Sequence, residues 1–363
     1  MNATDLPAKR ARLLALLDDA GAETLVLTSQ GAVSWYLDGA RVHTSLAGDP
    51  IAAVVVDREG DTVVTSTNEL ERLVLEELPA GIPVIATPWH EPIAAALPTG
   101  PGVIGEADVA AALRGARAEL LPLELARYRS LGRDSAEAAT AVLRRARPGT
   151  TGRAIAAALA AELVARGIDP LVLLVAGRDR LGHRHPLPTD APLGDRAMVV
   201  VCGRRHGLIA NLTRWVRFGL PDAAEADADR RIREVEADVF AATTAGSTVA
   251  EAFGAGVSAY ARHGFTPDEW RAHHQGGPAG YNGRDPRATA HVGDVIRLGQ
   301  AFAWNPSAPG TKIEDTVLLT ADGIEVLTAD PAWPTVTVRG RERPVELLLP
   351  EHPTPPEESQ VLP

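Results

Sequence analysis

Val200-Val201-Cys202-Gly203-Arg204-Arg205-His206-Gly207-Leu208-Ile209-Ala210-Asn211-Leu212-Thr213-Arg214 is the stretch that decides how the chain is read. An apolar run closes on a short basic turn and resumes as alternation ending in Thr-Arg, the pattern of a β-hairpin. Asn211 interrupts that pattern, and a polar amide in a strand needs a reason. Cys202, inside the apolar run, reads as a small core residue; no partner at readable spacing makes it a nucleophile.

Outward from the hairpin, Pro170 to Ala176 reads as a strand and Gly177 to Pro192 as a loop rich in Arg, His and Pro. Before them, helices Leu123 to Ala146 and Thr151 to Gly167 are parted by Arg147-Pro148-Gly149-Thr150, a helix stop followed by an N-cap threonine. After the hairpin, Asp222 to Ala245 and Thr248 to His263 are two more helices. Gly264 to Gly299 is irregular and dense in Gly and His. Phe302 to Trp304, Lys312 to Leu319 and Glu325 to Leu327 read as strands. The amino-terminal stretch has an αβαββαβ rhythm, with a hairpin over Arg58-Glu59-Gly60 and a helix from Asn68 to Leu78. From Pro331 there are two short extended pieces and a Pro/Glu-rich tail. The expected division is a first domain over 1–118, a second over 119–330 and an extended tail over 331–363.

Composition narrows the classes. The chain has 363 residues, 45% of them hydrophobic and 23% charged, and a net charge of −11. That balance describes an ordinary soluble globular protein, and the net charge argues against a nucleic-acid partner, whose phosphates would need a basic face. One cysteine forms no internal disulfide and no zinc knuckle. No apolar run reaches the roughly 20 residues of a bilayer span. Met1 to Leu6 has no signal-peptide character, so the expectation is a cytoplasmic protein with no membrane partner.

The hairpin resembles the metal-binding hairpin of the creatinase/aminopeptidase superfamily: methionine aminopeptidase, aminopeptidase P, prolidase and the metal-free creatinase. Gly194-Asp195, Gly207 and Thr213-Arg214 sit at the family spacing, while the family's two hairpin aspartates fall on Val200 and Asn211. His273-His274-Gln275-Gly276-Gly277-Pro278-Ala279-Gly280-Tyr281 is similar to the family's histidine-glycine block, with His273 at its metal-histidine position. Trp304-Asn305-Pro306 stands where the family has Glu-Pro, and Glu314-Asp315-Thr316 matches its final Glu-Asp-Thr. The resemblance covers Leu123 to Thr328 and implies an α/β (α+β) fold: a small creatinase-type amino-terminal domain followed by a pita-bread domain.

Carried over residue by residue, the family's five ligand positions become Val200, Asn211, His273, Asn305 and Glu314. Valine cannot coordinate and an amide oxygen is a weak neutral donor, so a dinuclear peptidase centre, whose cations need several carboxylates, is rejected. His185, before Gly194-Asp195, matches the family's substrate-facing histidine, which shuttles the proton in creatinase-like members. The sequence therefore leads to a metal-independent creatinase-like hydrolase or lyase acting on a small polar amide, amidine or amino-acid derivative. His185, His273 and Glu314 are its expected catalytic residues; Asn211, Asn305, Gln275, Arg284 and Arg41 are its expected substrate-binding ones. Arg204 is a further candidate anion clamp, and His274 is a lesser candidate than His273. No cofactor is expected, and the partner is a small-molecule or short-peptide substrate in a homodimer. The alternatives are a peptidase with a single divalent metal, held by His273, Glu314 and the two asparagines, and a binding protein that has lost catalysis.

Overall fold

The computed structural model describes residues 4–350. The last stretch of the Pro/Glu-rich tail, 351–363, lies outside the described residues.

The amino-terminal elements are α1 (Leu6–Ala20), β1 (Thr24–Leu27), α2 (Gln30–Tyr36), β2 (Ala52–Asp57), β3 (Asp61–Ser66), α3 (Leu70–Arg72), β4 (Val84–Thr87), β5 (Val103–Gly105) and α4 (Ala110–Ala118). Their strands form a five-stranded sheet in the order β4-β3-β2-β1-β5. The β2–β3 hairpin turns where Asp57 accepts from the backbone of Glu59 and Gly60, an aspartate-driven turn. The helix expected over Asn68 to Leu78 is a single turn, α3, that widens into a π-turn at Leu73–Glu77.

α5 (Pro122–Leu143) and α6 (Gly152–Ala165) follow. Thr151 caps α6 by accepting from the Ala154 backbone, as the Arg-Pro-Gly-Thr break required. The second sheet contains β6 (Asp169–Ala176), β7 (Arg196–Arg205), β8 (Leu208–Phe218), β9 (Gly276–Ala279), β10 (Ala301–Trp304), β13 (Asp315–Thr320), β14 (Gly323–Val326) and β17 (Leu347–Leu349). Its path runs β6-β7-β8-β13-β10-β9, a curled, mostly antiparallel half-barrel of the pita-bread type. β11 (Ser307–Ala308) and β12 (Thr311–Lys312) make a small hairpin beside it, and α7 (Ala223–Ala242) packs against α8 (Val249–Arg262). The strand expected from Lys312 to Leu319 is broken at Ile313-Glu314, which lets Glu314 leave the ladder.

Carboxyl-terminal residues are part of this body. β15 (Thr335–Val338) and β16 (Arg341–Pro344) pair with each other, and β17 joins β8 in parallel. Arg343 of β16 is buried, with two 2.6 Å bonds to Glu236 of α7 and a 2.9 Å contact to Asp315 of β13.

The β7–β8 hairpin fixes how the two sheets meet. His206 and Gly207 both have positive φ, 51° and 76°, the geometry of a tight hairpin turn. A Cβ on Gly207 would come within 2.7 Å of Ser34 Cβ and 2.8 Å of the Tyr281 ring, so the turn docks tightly on α2. Beside it, buried Lys9 of α1 donates to the Trp35 carbonyl at 2.7 Å and pairs with Asp38 at 2.6 Å and Glu124 of α5 at 3.3 Å. Glu124 in turn accepts from the Tyr281 hydroxyl at 2.7 Å. One apolar cluster runs from Leu13 and Trp35 through Tyr128 and Leu159 to Val201 and Leu212. Among the described residues no helix is long and apolar enough to cross a membrane.

Candidate metal centre

Register and alternation put one row of side chains on a single face of the hairpin. Met198 pairs with Trp215, Val200 with Thr213 and Cys202 with Asn211, and partners across a strand pair share a face. Met198, Val200 and Trp215 make an apolar patch with Leu174 and Ala176. Val200 therefore fills its position with packing, leaving no ligand there. Cys202 is half-buried, and desolvation pushes its thiol up to about 12, which leaves it a poor nucleophile. Asn211 is buried; its backbone N–H donates to the Thr316 hydroxyl at 2.7 Å, and its Oδ1 has no partner.

Next on this face stands Glu314. Thr213 donates from its backbone to the Glu314 carbonyl at 2.9 Å and from its hydroxyl to Oε2 at 3.1 Å. Arg284 reaches Oε1 at 2.6 Å and Lys312 reaches Oε2 at 2.9 Å. Burial alone would raise this carboxyl, but Lys312 and Arg284 outweigh it and hold the group at about 2. Asn305 follows β10 and is buried, with its own Oδ1 unpartnered.

The histidines arrive on two loops. His185 lies between β6 and β7, where its neighbour Arg184 is anchored to Glu269 at 2.5 Å and to the Ser307 hydroxyl at 3.1 Å. His273 and His274 immediately precede β9. A Cβ on Gly276 would lie 2.1 Å from the Ala303 carbonyl oxygen, so β9 sits against β10 too closely for any side chain at that position. Gln275 fixes the same loop: its Oε1 accepts from the Tyr260 hydroxyl at 2.7 Å, and its amide donates to the carbonyls of His273 at 2.6 Å and Trp270 at 3.0 Å.

These loops bring three imidazoles together. His185 Nε2 and His273 Nε2 are 3.1 Å apart, and the His273 and His274 rings stack at 4.4 Å between centroids. One ring nitrogen from each of His185, His273 and His274 lies within 4.8 Å of the others, and this is the cluster with metal-holding geometry among the described residues. Burial, reinforced by the positive charge of Lys312, pushes His273 down to about 2. Burial with Arg284 pushes His274 down to about 4, and burial with Lys312 lowers His185. The rings are thus neutral at neutral pH, the form that donates a lone pair to a metal.

A single divalent ion fits this donor set. Two nitrogens on one tetrahedral zinc stand about 3.3 Å apart, given Zn–N bonds of about 2.0–2.1 Å, close to the His185–His273 separation. The Nδ1 atoms of His273 and His274 are buried without a partner, as are the two asparagine oxygens, so the region holds unspent donors. Two ions do not fit, because Glu314 is already committed to two cations and Val200 to an apolar patch.

The expectation of a metal-independent creatinase-like hydrolase or lyase is corrected by this cluster. A proton shuttle working near neutrality needs a ring that titrates there, and burial lowers all three, His273 and His274 far below it. Three neutral imidazoles on one point suit a mononuclear centre instead. The one-metal alternative also takes a different ligand set: two of the three donors come from His185 and His274, which it did not include.

Of the other residues singled out in the sequence, His185 meets His273 and Arg284 pairs with Glu314, whose charge acts on both rings; Asn211 lies opposite Cys202 on the hairpin, and the Asn305 backbone N–H donates to the Gln275 carbonyl at 3.1 Å. Gln275 turns both polar ends to protein partners. Arg41 lies on the first domain, its guanidinium on Glu77 at 2.5 Å, and lines a separate cavity of about 480 Å³ with His43, Asp169 and Arg204. Lys312 and His274 were not among the expected site residues. Their signals were slight: a lysine two places before Glu314 and a histidine doubling His273.

Fold and site together define a pita-bread protein with at most one small metal-binding cluster. The profile of metallopeptidase family M24 matches residues 126–321, more than half of the chain, and the chain belongs to that family. Solved structures agree in fold. Dipeptidase PepE from Mycobacterium ulcerans is 21% identical, with a TM-score of 0.74 over 96% of this chain and 100% of that one. The prolidase from Pyrococcus horikoshii is 18% identical, with a TM-score of 0.73 over 88% and 98%. An X-Pro aminopeptidase from Thermotoga maritima is 16% identical, with a TM-score of 0.70 over 89% and 98%. No curated protein matches the chain.

Proposed function

We propose that this protein is a mononuclear metal-dependent hydrolase of short peptides, of the Xaa-Pro peptidase type. The observation that carries the reading is the gathering of His185, His273 and His274 nitrogens within 4.8 Å in a family of metallopeptidases. Those three rings would hold the ion, and three imidazoles favour a borderline metal such as zinc over magnesium or calcium. When bound, such an ion supplies Lewis acidity at a substrate carbonyl and lowers the pKa of water.

The chain's own groups do the rest. The free Oδ1 atoms of Asn211 and Asn305 accept hydrogen bonds from a substrate amine or amide N–H. Arg284 Nε, buried without a partner, offers a donor to a carbonyl or carboxylate oxygen. Gln275 and Arg184 hold the two histidine loops at their separation. Glu314 fixes Lys312 and Arg284, whose positive charge favours an anionic transition state in this partly dry site. A short-peptide substrate and a homodimeric, cytoplasmic protein belong to the same proposal.

The test is hydrolysis of a set of Xaa-Pro and non-proline dipeptides by protein stripped with chelator and then reconstituted with Zn²⁺, Mn²⁺ or Co²⁺. Activity should appear only with metal and fall by at least about 100-fold in His273→Ala, as expected when an ion's ligand is lost. Full turnover by the stripped protein would refute the proposal.

A further inference from the structure

Glu314 is a buried carboxylate whose charge acts on all three imidazoles, yet it stands outside the cluster they form. Neither oxygen is free. Arg284 Nη2 holds Oε1 at 2.6 Å, while Lys312 Nζ at 2.9 Å and the Thr213 hydroxyl at 3.1 Å hold Oε2. Both cations are well buried, and among the described residues neither makes another ion pair. From these contacts we infer that Lys312 and Arg284 are the protein's own fixed cations in the place a second metal ion would take. They withhold Glu314 from coordination and set the capacity of the centre at one ion. The inference rests on the one-ion reading above and goes beyond it by assigning the residues that enforce the number.

Backbone geometry supports the assignment. Lys312 ends the two-residue strand β12, and the chain breaks at Ile313-Glu314 before β13 begins. Residues two apart in extended backbone share a face, so Lys312 and Glu314 stand on one side and meet at 2.9 Å. The segment is pinned on both sides: the Lys312 carbonyl accepts from Trp215 Nε1 at 2.8 Å, and the Thr311 hydroxyl bonds buried Asp229. Lys312 is thus a built part of the site. Its ammonium also acts on His185 and His273, as a like charge would act on any cation bound between them. A tethered ammonium cannot be displaced as a free ion can, so the effect is permanent. Lys312 and Arg284 are positioning residues here, acting through Glu314.

Calorimetric titration of the full-length, chelator-stripped protein with Zn²⁺, together with metal analysis after dialysis, tests the assignment. Wild type should take up one equivalent. Lys312→Met keeps the stem but removes the charge and leaves Oε2 with the Thr213 hydroxyl alone. That variant should gain a second equivalent or bind the first at least about tenfold tighter. Unchanged stoichiometry with affinity within twofold, in a variant with wild-type circular dichroism and Tm, would overturn the inference. Should Lys312→Met fail to fold, Arg284→Met carries the same expectation and the same refutation, because Arg284 lies on the irregular segment between β9 and β10. The two readings fail separately. A wild type that binds no zinc removes the one-ion reading and this inference with it. A wild type that binds one ion, beside variants that behave identically, removes this inference alone.

Discussion

His273 and His274 show what a single residue can reveal here. Each ring is neutral in the fold, held there chiefly by burial, with folded pKa values of about 2 and about 4. In the unfolded chain both titrate near 6.5. The unfolded state therefore binds more protons as pH falls, and stability is full above the unfolded value and drains away below it. For the metal-free protein the loss should be about 2 kcal/mol per buried ring between pH 6.5 and pH 5. Urea unfolding across that window reads it directly, and His273→Asn should flatten the slope. A constant midpoint from pH 6.5 to pH 5 would show that these rings protonate freely. Glu314 has the same sign in a lower window: its folded pKa is depressed to about 2, so its contribution is kept from pH 6.5 to pH 5 and is lost only in stronger acid. The two effects are separable by pH.

Among the elements, the carboxyl-terminal strands carry more than their sequence suggested. Arg343 of β16 is buried against Glu236 and Asp315, the residue directly after Glu314. Removing one member of a buried ion pair leaves a charge without compensation, at a cost of about 3–5 kcal/mol. Arg343→Ala should lose that much stability in guanidinium unfolding; a loss under about 1 kcal/mol would mean that Glu236 and Asp315 find other partners. In the sequence, Arg343 sat in a run of charges beyond the resemblance, and nothing local said that it would be buried. The β7–β8 hairpin is the reverse case. Alternation, the basic turn and Gly207 marked its strands and turn before any coordinates, because period-two patterning and positive φ are local properties. Glu314 falls between. Glu-Asp-Thr marked it as a candidate, but its two cations were not legible, since Arg284 comes from a loop thirty residues away.

For the whole molecule, architecture was far more legible than chemistry. The strands and helices were legible in apolar periodicity, caps and turns, and the half-barrel in the resemblance they carry, which survives the loss of ligand carboxylates. The centre depends on a few side chains meeting from different loops. Reading the ligand positions one by one showed which donors had gone, at Val200 and Asn305. It put His185 and His273 in one site but did not show that His274 joins them as a cluster able to hold an ion, because that meeting is made by Gln275, Gly276 and Arg184 holding loops in three dimensions. The most direct measurement is a crystal structure of the protein grown with Zn²⁺, with anomalous diffraction recorded at the zinc edge. One peak per chain should lie within bonding distance of nitrogens from His185, His273 and His274, with Glu314 still on Lys312 and Arg284. Two peaks bridged by Glu314, or no peak among the three rings, would contradict it.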